Sequence, residues 1–142
     1  MQDENIIILK ICGGIGNQLF QIANAIHLST KFNRKLLISD KNSSSRKTYW
    51  DSIFNPVKPF LITNNEYQEL RKQSKNYNWA ATRFEYKEII LDPQISCYNI
   101  DGYYQSYKYF DIESFKKYLN LEYNQNKYTI HQSDIAIHIR RT

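Results

Sequence analysis

Three groups of side chains could do chemistry in this chain, and the most pointed stands at its end. Arg140 and Arg141 follow His138 after the run Asp134-Ile135-Ala136-Ile137-His138-Ile139. A guanidinium keeps its charge at any working pH and grips phosphate through two parallel N–H bonds, so paired arginines at a strand end suit a diphosphate. They equally suit a solvated basic tail.

The second group is Gly13-Gly14-Ile15-Gly16-Asn17-Gln18. Glycines let the backbone turn sharply and approach a ligand closely, and free N–H groups at a helix start favour an anion. A phosphate or a sugar could sit there, or the glycines could simply permit a tight strand-to-helix turn. A dinucleotide fingerprint is a further rival, since Gly14 and Gly16 supply its first two glycines and Asp40 stands at the distance of the ribose-binding acid. Leu19 replaces its third glycine, and the amides of Asn17 and Gln18 have no use in it.

The third is Gly102-Tyr103-Tyr104-Gln105-Ser106-Tyr107-Lys108-Tyr109-Phe110. Aromatic faces beside the Gln105 amide, a hydroxyl and an ammonium suit a carbohydrate, which offers C–H patches and hydroxyl edges. Aromatics entering a helix also serve as core.

The elements that must position these groups alternate. Ile6 to Cys12 is a β-branched run ending in glycine, which predicts a strand buried on both faces of a parallel sheet. Leu19, Ile22, Ala23, Ile26 and Thr30 recur at helical spacing, predicting a helix from Asn17 to about Phe32, and Leu36 to Ser39 reads as the second strand. That is a βαβ unit with a right-handed crossover.

Asp40 to Thr48 reads as a polar loop, and Asn55-Pro56-Val57-Lys58-Pro59 as a break in regular structure. Phe60 to Ile62 fits a short strand, with Thr63 or Asn64 capping a helix to about Lys72. Arg83 to Leu91 fits strand or irregular chain. Ser96 to Asp101 predicts a strand ended by Gly102, and Asp111 a cap for a helix through Phe115, Tyr118 and Leu119. After a polar loop from Glu122 to Lys127, Asp134 to Ile139 begins a last strand. The expected fold class is α/β, an open and mostly parallel sheet, with sites beyond the carboxyl ends of its strands.

Composition bounds the reading. A chain of 142 residues, 42% hydrophobic and 23% charged, is one globular domain in size and neither disordered nor fibrous. The net charge of +5 comes from scattered lysines, so no nucleic-acid partner is expected. Cys12 and Cys97 stand far apart without metal-ligand spacing, which fits reduced thiols and a cytoplasmic setting. Lys10 interrupts the first apolar run and the start is acidic, so neither a signal peptide nor a spanning helix can be built. Any membrane association would be peripheral, at the inner face, or through another protein.

In their order and spacing, GGIGNQLFQ, GYYQSYKYF and IAIHIRR resemble the motifs of the family-11 glycosyltransferases, the α-1,2-fucosyltransferases, from Ile6 to Arg141. The resemblance implies two facing α/β domains of GT-B type and inverting transfer of fucose from GDP-fucose to the 2-hydroxyl of a terminal galactose. It implies that residues 1–130 form the amino-terminal, acceptor-side domain, and that 131–142 are the first strand and arginine motif of a nucleotide-sugar-binding domain otherwise missing.

On that reading Arg140 and Arg141 stabilise the departing GDP and His138 shapes the donor pocket. Asn17 and Gln18 direct hydrogen bonds to donor or acceptor hydroxyls, and Gly14, Gly16 and Gln105 line the cleft. Fixed cations at the leaving oxygens lower the barrier as negative charge develops there. An Asp-x-Asp pair is lacking, so no metal and no cofactor is expected. The chain alone, as a truncated or split product, would have little activity without a separate carboxyl-terminal half. Its last strand, without the sheet it should begin, would be an unpaired edge. A dinucleotide-binding module and a non-catalytic interaction protein are the alternatives.

Overall fold

The structure, a computed structural model, describes residues 4–77, 85–121 and 132–139. Five short parallel strands form its sheet: β1 (Ile6–Leu9), β2 (Lys35–Ser39), β3 (Leu61–Ile62), β4 (Lys75–Tyr77) and β5 (Cys97–Ile100), in the spatial order β3-β2-β1-β5-β4. Helix α1 (Ile15–Lys31) joins β1 to β2, α2 (Asn64–Gln73) joins β3 to β4, and α3 (Ile112–Lys116) follows β5. The α/β class and open parallel sheet expected from the alternation are therefore present.

Side-chain alternation along each strand divides the core. Ile7, Leu9, Leu36, Ile38, Tyr98 and Ile100 belong to the larger core with Ile22, Ala25 and Ile26 of α1. Ile8 and Cys97 pack with Tyr67 of α2 on the opposite face, beside Ile6, Leu37 and Leu70. A strand covered on both faces favours a near-continuous apolar run, and β1 is four consecutive β-branched or leucine residues. The α2 face also holds a polar chain. Tyr67 Oη donates to Asn99 Oδ1 at 2.8 Å, and Asn99 Nδ2 to Asn76 Oδ1 at 2.9 Å, so the buried amide is satisfied.

Helix α2 starts where its cap predicts. Thr63 accepts from the Glu66 N–H at 3.2 Å, while the Glu66 carboxylate accepts from the Thr63 N–H at 2.8 Å. The Thr63 hydroxyl, donating to the same carboxylate at 2.7 Å, and then the Thr63 N–H hold the Glu66 carboxyl below its ordinary range, so the cap survives until acid protonates it. Thr63→Ala should cost about 1 kcal/mol in urea unfolding.

Several expectations are corrected. Asn55–Phe60 is not a break but a 3₁₀ turn with Pro56 in its opening positions, where no N–H is needed. Strand β4 was unforeseen, because Lys75-Asn76-Tyr77 has no apolar pattern and is held by its ladder to β5. Of the two readings for Arg83 to Leu91, residues 85–91 take the irregular one, Arg83 and Phe84 lying outside the described residues, whereas α3 ends at Lys116, short of the expected Tyr118 and Leu119. Asp134 to Ile139 is not a strand. It joins no ladder among the described residues, and Ile135, Ile137 and Ile139 are 86%, 81% and 76% exposed. β-branched sequence favours a strand only where a neighbour supplies the hydrogen bonds. The expected loop from Glu122 to Lys127 lies outside the described residues.

Arg34, 5% exposed, closes the amino end of the sheet. Its guanidinium donates to the carbonyls of Ile95 at 2.7 Å and Asp92 at 2.9 Å and lies 5.2 Å from the Tyr98 ring centroid. Its charge is thus engaged at the end of the sheet remote from the glycine turn. No helix among the described residues is long and apolar enough to cross a membrane.

Candidate functional site

The strand order creates a switch point. From β1 the chain moves outward to β2 and β3, then crosses to the far edge and returns inward through β4 to β5, beside β1. Ligands of open α/β sheets bind beyond the strand carboxyl ends at such a point. A polar crevice of ≈ 240 Å³ lies there, lined by Lys10, Cys12, Gln21, Ser43, Asp101 and Tyr103.

Cys12 lines one side of the crevice and leads into the glycine turn, whose own residues are not among the lining. Gly13 has φ +85°, so the conformation demands glycine there, and a Cβ would lie 2.7 Å from Asn17 Nδ2 and push that amide aside. Gly14 is the cap of α1 with φ −77°, and Gly16 lies in the first turn. A Cβ on either would meet nothing within 4 Å. These two glycines leave the start of α1 open, while Gly13 makes the turn.

Gln18 was expected to face a ligand, but its side chain is fully buried and its Nε2 donates to the carbonyls of Gly13 at 2.9 Å and Lys47 at 2.8 Å. It ties the turn to the loop after β2. That loop holds the turn twice more: Asn42 Nδ2 donates to Gly13 O at 3.0 Å, and the Gly13 N–H donates to Ser44 Oγ at 3.1 Å. The sequence signal for this latch is the Asn42-Ser43-Ser44-Ser45 run, whose short side chains bond nearby backbone. Gln21, missed as a positioning residue, accepts from the Cys12 N–H at 2.8 Å and donates to its carbonyl at 3.2 Å. Its amide thereby pairs with the chain where β1 has ended.

The other wall is the turn after β5. Gly102 has φ +130° and Tyr104 φ +52°, an uncommon conformation for a bulky residue. Tyr104 turns into the core, where its hydroxyl lies 3.0 Å from Asp101 O and 3.1 Å from Tyr77 O. Burial pushes its phenol far above the usual range. Tyr109, also buried, meets the Tyr104 ring edge-on at 5.2 Å. These two tyrosines are core. Tyr103 instead reaches the crevice, its hydroxyl 3.8 Å from Cys12 Sγ, a contact that raises its phenol above the ordinary value.

Two residues from separate motifs meet, though neither is among the side chains lining the crevice. Gln105 Nε2 donates to Asn17 Oδ1 at 2.6 Å across 88 residues of sequence, joining the glycine turn to the turn after β5. His138 lies on the exposed 134–139 segment and is not among the side chains lining the crevice. Arg140 and Arg141 lie outside the described residues.

Lys10 and Asp101 bring opposite charges to the crevice, and neither makes an ion pair among the described residues. Lys10 Nζ donates to Asn64 Oδ1 at 2.7 Å. An ammonium, a carboxylate, a phenol ring, an amide and a hydroxyl can together bind a polyhydroxylated ring by its edges and one face. Compared with family models, with curated proteins and with solved structures, the chain matches none.

Proposed function

We propose that this chain is the acceptor-side domain of a GT-B-type glycosyltransferase of the α-1,2-fucosyltransferase kind, moving fucose from GDP-fucose to the 2-hydroxyl of a terminal galactose with inversion. The observation that carries the reading is the 2.6 Å bond between Asn17 and Gln105, which brings the first two motifs together beside a polar crevice at the switch point. Gly14 and Gly16 leave the first turn of α1 accessible beside them. In this reading the arginine motif, with Arg140 and Arg141, supplies the fixed positive charge that the departing diphosphate requires.

GDP release from GDP-fucose, measured with a galactoside acceptor, tests this. Turnover is expected when the chain is assayed together with a carboxyl-terminal nucleotide-sugar-binding half. Absence of turnover in the combined sample would overturn the reading.

A dinucleotide-binding module is the second reading, supported by Asp40 directly after β2, the position of a ribose-binding acid. Against it, Asp40 Oδ1 is inaccessible to solvent and the 42–47 loop is hydrogen-bonded to the glycine turn. Fluorescence titration with NADH decides: tight binding would favour this module over the transferase.

A further inference from the structure

Of the described side chains lining the β1–β5 crevice, Asp101 is the only carboxylate. Thiols, phenols and ammonium groups ordinarily hold their protons near neutral pH, whereas a carboxylate has released its own and can accept one. Asp101 is exposed, and its side chain makes no hydrogen bond to the described residues, so its lone pairs are open to a ligand.

Its backbone, by contrast, is held on both sides. The Asp101 N–H donates to Tyr77 O at 2.8 Å, and its carbonyl lies 3.0 Å from the buried Tyr104 hydroxyl. The positive φ of Tyr104 belongs to the same turn. Unusual backbone conformations that surrounding structure enforces concentrate at functional sites. Here the enforced turn sends Tyr104 inward and leaves Asp101 and Tyr103 on the crevice.

We propose that the β1–β5 crevice seats the acceptor sugar, with Asp101 as the catalytic base that removes the proton from the attacking hydroxyl. The inference rests on the glycosyltransferase reading and adds to it a seat and a proton acceptor. As the O–H proton passes to the Asp101 carboxylate, the acceptor oxygen forms its bond to the anomeric carbon of the donor. The bond from that carbon to the diphosphate breaks on the opposite side, and its electron pair leaves with the nucleoside diphosphate. The resulting Asp101 carboxylic acid then gives its proton to water. Lys10 and Tyr103 position the ring, one by a hydrogen bond to a hydroxyl and the other by its aromatic face.

Because only the backbone of Asp101 is hydrogen-bonded among the described residues, Asp101→Asn and Asp101→Ala should fold with wild-type stability. The test uses the full chain and the four monodeoxy methyl β-galactosides, with binding measured by calorimetry. For the wild type, the 2-deoxy sugar should bind at least tenfold more weakly than the parent galactoside. For Asp101→Ala that difference should vanish, which a structural role would not produce. In the transfer assay, Asp101→Asn should lower kcat at least 100-fold with KM changed less than threefold.

Transfer by Asp101→Asn within threefold of wild type would overturn the base assignment while leaving the transferase reading intact. Coupling of Asp101 to a hydroxyl other than the 2-hydroxyl would make it a recognition residue and also overturn it. Galactoside binding unaffected by Asp101→Ala or Tyr103→Ala would place the seat elsewhere. Failure of the wild type to transfer with a carboxyl-terminal half would sink the transferase reading itself, and the base assignment with it.

Discussion

Tyr104→Ala is expected to lower unfolding free energy by about 3–5 kcal/mol, the range for emptying a large buried aromatic site. The ring is fully buried against Tyr109, and the hydroxyl is shared between the carbonyls of Asp101 and Tyr77. Tyr104→Phe separates the two contributions. It keeps the ring and removes one buried hydrogen-bond donor, at a cost of about 1–2 kcal/mol. Urea unfolding of both variants checks the division, and a loss below about 2 kcal/mol for Tyr104→Ala would show that Tyr104 does not anchor the turn.

The same side chain sets a pH dependence. Its folded-state phenol titrates above the ordinary tyrosine value, so the unfolded chain releases that proton first. The stabilisation is complete below about pH 10 and is lost as pH rises past it. Tyr104→Phe should therefore flatten the decline in stability above that pH relative to wild type. An unchanged slope would assign the decline to other tyrosines, such as Tyr67 and Tyr77, whose phenols burial also raises.

Substitutions in the glycine turn should differ in sign. Gly13→Ala is expected to destabilise by about 2–3 kcal/mol, from placing an L-residue at φ +85° and from losing the Asn17–Gln105 bond. The obstructing atom is Asn17 Nδ2, the tip of a side chain, so Asn17 is displaced rather than α1. Gly16→Ala lies in the first turn of α1 with open space around it and should be neutral or stabilising by up to about 1 kcal/mol. Chemical denaturation of the pair checks this, and equal effects at the two positions would contradict the geometry. If Gly16→Ala keeps its stability and still weakens binding of GDP-fucose, the open first turn of α1 faces that ligand.

Much of the fold was legible because its signals are local. The β-branched runs at Ile6 and Leu36, the helical spacing from Leu19 to Thr30, and the caps at Thr63 and Asp111 each act within a few residues. Strand β4 and the irregular segment 134–139 were misread for one shared reason. A strand is a paired object, and neither the ladder that makes Lys75–Tyr77 a strand nor the lack of one for 134–139 among the described residues is written in those residues.

The chain by itself determined the residue types available to a site: a glycine turn, a tyrosine-rich turn with Gln105, and an arginine pair. Tertiary structure decided their duties. Asn17 and Gln105 became partners because β1 and β5 are neighbours, which the sequence could not show with five other strands and helices between them. Gln18 turned inward because the carbonyls of Gly13 and Lys47 needed donors, and Tyr104 because a left-handed residue after Gly102 points it into the core. Hydrogen bonds and burial between distant segments are properties of the packed chain, so which tyrosine is core and which meets the crevice follows only from the fold.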